Sequence, residues 1–162
     1  MCDNTKITFQ VMDIIRGTTV DGPGFRTSIY LAGCDHHCPG CHNPSTWDPR
    51  NGDTMTLEEI LAIVREEDFD VTLSGGDPLF NPDLTAVLAS EIKQLGKKIW
   101  LYTGYTIEQI NAEPRLAKVL EYVDTVVDGP FIEEQKNPDL LFRGSTNQRI
   151  IEINAPSHKN GI

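Results

Sequence analysis

Short apolar runs of strand length alternate with helix-length amphipathic segments along this chain, and that alternation restricts its fold more than any other feature. Ile7 to Ile15 and Thr27 to Ala32 read as strands, separated by a Gly-, Pro- and Asp-rich loop from Arg16 to Phe25. Leu57 to Glu66 repeats its apolar residues near every 3.6 positions, a helix with Thr56 as its N-cap. Val71 to Leu73 returns to a strand that runs into Gly75 and Gly76. Asn81-Pro82 opens a second helix, which runs to Leu95 and stops at Gly96. Lys98 to Tyr102 is a strand, Ile107 to Tyr122 a helix interrupted near Pro114, and Thr125 to Val127 and Gln148 to Asn154 are strands. Strand–helix alternation predicts an α/β fold with a mostly parallel sheet and right-handed crossovers. The Gly- and Asp-rich segments follow strands, at the carboxyl rim where such folds bind ligands. A length of 162 residues suits a single domain over 1–162, with 155–162 as a loose tail.

The formal net charge is −10, so the surface field repels polyanions and argues against a nucleic-acid partner. No window approaches the roughly 18 consecutive apolar residues of a membrane helix, and the N-terminus lacks a secretory pattern. A cytoplasmic protein is therefore expected, in a compartment that keeps thiols reduced. Cysteines clustered under those conditions point to metal or catalysis before disulfides.

Three of the four cysteines lie together in Gly33 to Asn43, GCDHHCPGCHN, a Cys-x3-Cys-x2-Cys spacing over Cys34, Cys38 and Cys41. Thiolates select iron–sulfur clusters, zinc or Cu(I), and these spacings let one loop wrap one centre. A closed structural zinc site needs four ligands and a closed cubane four cysteines, but only three are local. An iron lacking a protein thiolate would be open to substrate. The bland alternative is a Cys3His zinc site completed by His36, His37 or His42, in a non-catalytic binding or electron-transfer module. Cys2, at the terminus, is expected to play no part.

The spacing, at the end of a strand, resembles the radical S-adenosylmethionine superfamily. Taken with DGPGFRT (21–27), CPGCHNPSTW (38–47), LSGGDP (73–78), YTGY (102–105), VDGPF (127–131) and FRGSTNQRI (142–150), the chain resembles the family that activates the anaerobic ribonucleoside-triphosphate reductase. His42 departs from it, standing where the family usually has Tyr. The resemblance implies a partial, open (β/α) barrel and one [4Fe–4S] cluster on Cys34, Cys38 and Cys41. It implies reductive cleavage of S-adenosylmethionine and a glycyl radical left on the reductase. It also implies a one-electron donor such as flavodoxin, with a homodimer as a further expectation. A kindred target, pyruvate formate-lyase, belongs with longer activases than this one.

The same resemblance assigns cofactor contacts to Gly40, Cys41 and His42, and to Gly75, Gly76 and Asp77, which would receive the amino group of the methionine moiety. Thr103 and Asp128, each before a glycine at a strand end, would line the rim near the adenosine. Each has a plainer reading: Asp77 as a helix cap, and the Gly turns as ordinary strand ends. Trp47 and Trp100 are expected in the core. Arg26, Arg143 and Arg149 belong to the family pattern, with carboxylates or a partner as their counterparts.

Overall fold

The computed structural model describes residues 7–36, 38–41 and 44–153; Cys2, His37, His42 and the 155–162 tail lie outside the described residues. Seven strands form one sheet: β1 (Thr8–Thr18), β2 (Arg26–Leu31), β3 (Asp53–Thr56), β4 (Asp70–Gly75), β5 (Ile99–Tyr102), β6 (Thr125–Asp128) and β7 (Arg149–Glu152). Four helices connect them: α1 (Leu57–Glu67), α2 (Pro82–Gln94), α3 (Ile107–Ala112) and α4 (Pro114–Val119). The spatial order is β3-β1-β2-β4-β5-β6-β7.

The four strands β2, β4, β5 and β6 are parallel, as the alternation requires. Both flanks differ from a mostly parallel sheet. β1 runs antiparallel to β2 and to β3, and β7 antiparallel to β6. The sheet is open, with β3 and β7 as its edges. β3 escapes a sequence reading because Asp-Thr-Met-Thr is short, polar and solvent-facing, with Val11 opposite Asp53 as its pairing. β1 also runs on to Thr18, through residues that read as loop, with two register irregularities along it.

Local chemistry accounts for the helix ends. Thr56 Oγ1 accepts from Glu59 N at 3.1 Å while Glu59 Oε1 accepts from Thr56 N at 2.8 Å, a reciprocal cap. Asn81 caps α2 with Pro82 in its first turn. Extended backbone at Glu113, before Pro114, separates α3 from α4.

Alternation along the strands sorts the two faces. Ile29, Leu31, Val71, Leu73, Ile99, Leu101 and Val126 pack with Leu57, Ile60, Leu61 and Val64 of α1 and with Leu88 and Ile92 of α2. This side is the core. The opposite face carries Arg26, Ser28 and Tyr30 of β2, Thr72 and Ser74 of β4, and Trp100 and Tyr102 of β5. Arg26 is buried there over the Trp100 ring, bonded to Thr72 Oγ1 at 2.9 Å and to the carbonyls of Pro23 and Val71 at 3.1 Å. Burial lowers the pKa of that guanidinium and raises that of the Tyr30 hydroxyl, which donates to Asp21. Among the described residues no helix is long and apolar enough to cross a membrane.

Candidate functional site

The carboxyl ends of β2, β4 and β5 meet in a cleft of about 220 Å³. Cys34, Cys38 and Cys41 line it, facing Ser74, Gly75 and Gly76 from β4 and Tyr102, Thr103 and Gly104 from β5. Trp47, expected in the core, also lines it, whereas Trp100 is buried against Phe142. Phe131 and Gln148 complete the wall from the segment between β6 and β7. Both lie in motifs noted in the sequence, but neither was expected at the cleft, because nothing local signals that this segment folds back over the rim.

The cysteine loop is fastened by backbone hydrogen bonds. Gly33 N donates to Thr46 O at 2.6 Å and Cys34 N to Trp47 O at 3.2 Å. Gly76 N donates to Leu31 O at 2.8 Å and Asp77 N to Gly33 O at 2.7 Å, which joins the end of β4 to the start of the loop. Close approach makes glycine necessary at both positions. Gly75 has φ +113°, and a Cβ there would fall onto the Leu31 backbone. One on Gly76 would sit 2.7 Å from Thr46 O. The Gly-Gly pair thus admits the protein's own backbone on one side and borders the cleft on the other.

Cys41 N donates to Cys38 O at 3.0 Å, a tight turn through Gly40 at φ +75°. Gly40 is not among the cleft-lining residues; it packs against Glu133. Among the described residues, no three His, Cys, Asp or Glu side chains stand close enough to hold a single metal ion. The donor set is three soft thiols at one cleft. It fits a cluster, which takes one thiolate per iron, with one iron left for another ligand.

Asp77 is buried, 2% exposed, and its carboxylate is taken up by this chain. Oδ1 accepts from Leu79 N at 2.9 Å, capping the turn Pro78–Phe80. Oδ2 accepts from Thr103 Oγ1 at 3.0 Å and Gly104 N at 2.9 Å, and lies 2.6 Å from His36 Nε2. That contact raises the His36 pKa against the opposing effect of burial. The structure therefore bonds Asp77, behind the cleft wall, to Thr103 on that wall, and adds His36, which the spacing suggested only as a fourth zinc ligand.

Asp128 is elsewhere engaged. Its carboxylate, 1% exposed, accepts from Ile107 N at 2.8 Å, from Arg149 N and Nε at 3.1 Å each, and from an Arg149 terminal nitrogen at 2.6 Å. It does not line the cleft. Arg149 reaches on to Glu108 at 2.7 Å, and Arg143 donates to Gln148 O at 2.8 Å. So Arg149 answers carboxylates and Arg143 a carbonyl. The hydrogen bond from Arg149 holds the Glu108 carboxyl down at about 2. A depressed folded-state pKa stabilises above the ordinary carboxylate range and is lost as pH falls toward that value. Thermal unfolding between pH 5 and 2 is expected to show a shallower acid loss for Glu108→Gln than for the native chain; parallel curves would contradict this.

A family model described as a 4Fe-4S single cluster domain matches residues 20–151, a span that contains every cleft residue named above. The anaerobic ribonucleoside-triphosphate reductase-activating protein of Vibrio cholerae is 40% identical over 141 residues, covering 81% of this chain and 90% of its own. The Escherichia coli protein of that name is 38% identical over 139 residues (80% and 89%), and that of Enterobacteria phage T4 40% over 139 (81% and 86%). This chain belongs to that family. The matched domain is described as carrying a single 4Fe-4S cluster, and the matched span includes all three thiols of the loop. At Asp128, Arg143 and Arg149 the geometry gives structural work: they bind β7 and the wall segment to the rim.

Proposed function

We propose that this chain activates the anaerobic ribonucleoside-triphosphate reductase by cleaving S-adenosylmethionine and leaving a glycyl radical on that partner. One observation carries the reading: three thiols of a single loop share a cleft with the bare strand end at Gly75 and Gly76. Cys34, Cys38 and Cys41 would hold the cluster. When bound, it supplies the electron that splits the sulfonium, giving methionine and a 5′-deoxyadenosyl radical that takes a hydrogen atom from the reductase glycine.

The protein's part is to bind, orient and exclude water. Ser74 and Gly75–Gly76 offer backbone and hydroxyl groups to the methionine end of the cofactor, with Cys41 on the loop side. Asp77 supports this rim from behind, through Thr103 and Gly104. Phe131 and Gln148 cover the far side, and Asp128 keeps that cover in place. The open sheet, read as a partial barrel, leaves a side free for a macromolecular substrate. The acidic surface suits a protein partner better than nucleic acid. A flavodoxin-type donor, a homodimer and a cytoplasmic setting belong to the same reading.

The test is anaerobic reconstitution followed by dithionite, S-adenosylmethionine and the reductase. About four iron and four sulfide per chain, 5′-deoxyadenosine, and a glycyl doublet in the electron paramagnetic resonance (EPR) spectrum of the reductase are expected. One zinc without labile sulfide would instead indicate a non-catalytic module. A doublet formed only on pyruvate formate-lyase would reassign the partner.

A further inference from the structure

We infer that His36 is a positioning residue: its ring, clamped between the Asp77 carboxylate and the bare backbone of Gly104, sets how the cysteine loop sits over the cleft. This rests on the reading that Cys34, Cys38 and Cys41 carry the cluster. His36 lies two residues from both Cys34 and Cys38, so whatever fixes its ring fixes the loop between two ligands.

Three independent contacts fix it. His36 Nε2 is 2.6 Å from Asp77 Oδ2. The ring meets Tyr105 edge-on, with centroids 4.6 Å apart. A Cβ on Gly104 would stand 2.6 Å from His36 Cδ2, so the slot exists only because residue 104 is glycine.

The carboxylate at the centre of this clamp is engaged on both oxygens. Oδ2 is met by Thr103 Oγ1, Gly104 N and His36 Nε2, and Oδ1 by Leu79 N. Asp77 is only 2% exposed, so these contacts within the chain dominate its surroundings. Asp77 therefore acts through His36 and Gly104 on the loop. This is the outer-shell arrangement in which a carboxylate orients residues next to metal ligands. It ties the cysteine loop to the β5 rim by a side chain 41 residues away.

The test uses the full chain, reconstituted anaerobically, with His36→Ala, His36→Gln, Gly104→Ala and the double variant His36→Ala/Gly104→Ala. Two readouts need no S-adenosylmethionine: the rate of iron loss to a chelator and the EPR line shape of the reduced cluster. His36→Ala and Gly104→Ala should each speed iron loss by roughly 10–100-fold and alter the line shape. His36→Gln, which keeps an N–H near the Nε2 position, should restore both. In the double variant the added methyl meets no ring, so Gly104→Ala should do no further harm on that background. An unchanged line shape and iron retention in His36→Ala would overturn the proposal. So would a Gly104→Ala effect of equal size with and without the ring, or failure of His36→Gln to rescue. If the native chain holds its cluster but cleaves no S-adenosylmethionine, the function reading falls while these readouts still judge His36.

Discussion

Replacing Cys38 by Ala is expected to take S-adenosylmethionine cleavage to background while leaving the fold in place. The argument is one of ligand number. Three thiols line the cleft, and a cubane that already lacks one protein ligand has no spare donor to substitute for a second. Cys38 is only partly buried, and its contribution to the loop turn is its carbonyl, which accepts from Cys41 N at 3.0 Å whatever the side chain. Loss of the thiol should therefore cost no more than about 0.5 kcal/mol of folding stability. Iron and sulfide should fall well below the native content, and 5′-deoxyadenosine should not form above the reductant-only control. Cys34→Ala makes a poorer test, because Cys34 is buried and its removal also disturbs packing. Full iron content with undiminished cleavage in Cys38→Ala would remove this loop from the mechanism.

Gly75→Ala should be the most damaging single methyl in the chain. At φ +113° an L-residue is strained by roughly 1–2 kcal/mol. The methyl would also fall onto the Leu31 backbone and 2.8 Å from the Tyr30 carbonyl carbon, atoms that cannot turn aside as a side chain can. Overpacking of that kind costs roughly 1–3 kcal/mol, so the total is about 2–5 kcal/mol against a usual stability of about 5–15. Gly96 supplies the control. It also has positive φ, +81°, but a Cβ there would meet nothing within 4 Å, so Gly96→Ala should cost only about 1 kcal/mol. Urea unfolding followed by circular dichroism compares the two directly. Equal midpoints would mean that the β2–β4 approach at Gly75 is looser than described.

What could be read in advance was local. Thr56, Asn81-Pro82 and Gly96 mark helix ends because capping is settled within three or four residues. The parallel strands can be read from short segments such as Val71 to Leu73 and Ile99 to Leu101, whose alternate apolar side chains are buried against the helices. The cysteine loop is legible because its ligands share one stretch of chain. The unread parts depend on distant pairing: β3 opposite β1, β7 opposite β6, and Phe131 and Gln148 over the cleft. Asp77 illustrates the limit. Its position after two glycines pointed to a cofactor, whereas its partners His36, Thr103 and Gly104, lying 41, 26 and 27 residues away, could only be met in three dimensions. Asp128 resembled a rim residue by its place at a strand end, yet Arg149 and Ile107 N take up its charge.

The hydrogen bonds that continue from β2 and β4 into the cysteine loop bear on the life of such a protein in air. Cys34 N, Gly33 N, Gly76 N and Asp77 N all donate to the chain's own carbonyls. The frame at the mouth of β2 thus stands before iron arrives and remains after it leaves. Oxygen that strips the prosthetic group should spare the scaffold, and an inactivated molecule needs iron, sulfide and reductant to recover, with no refolding. Exposure to air then becomes a repairable interruption.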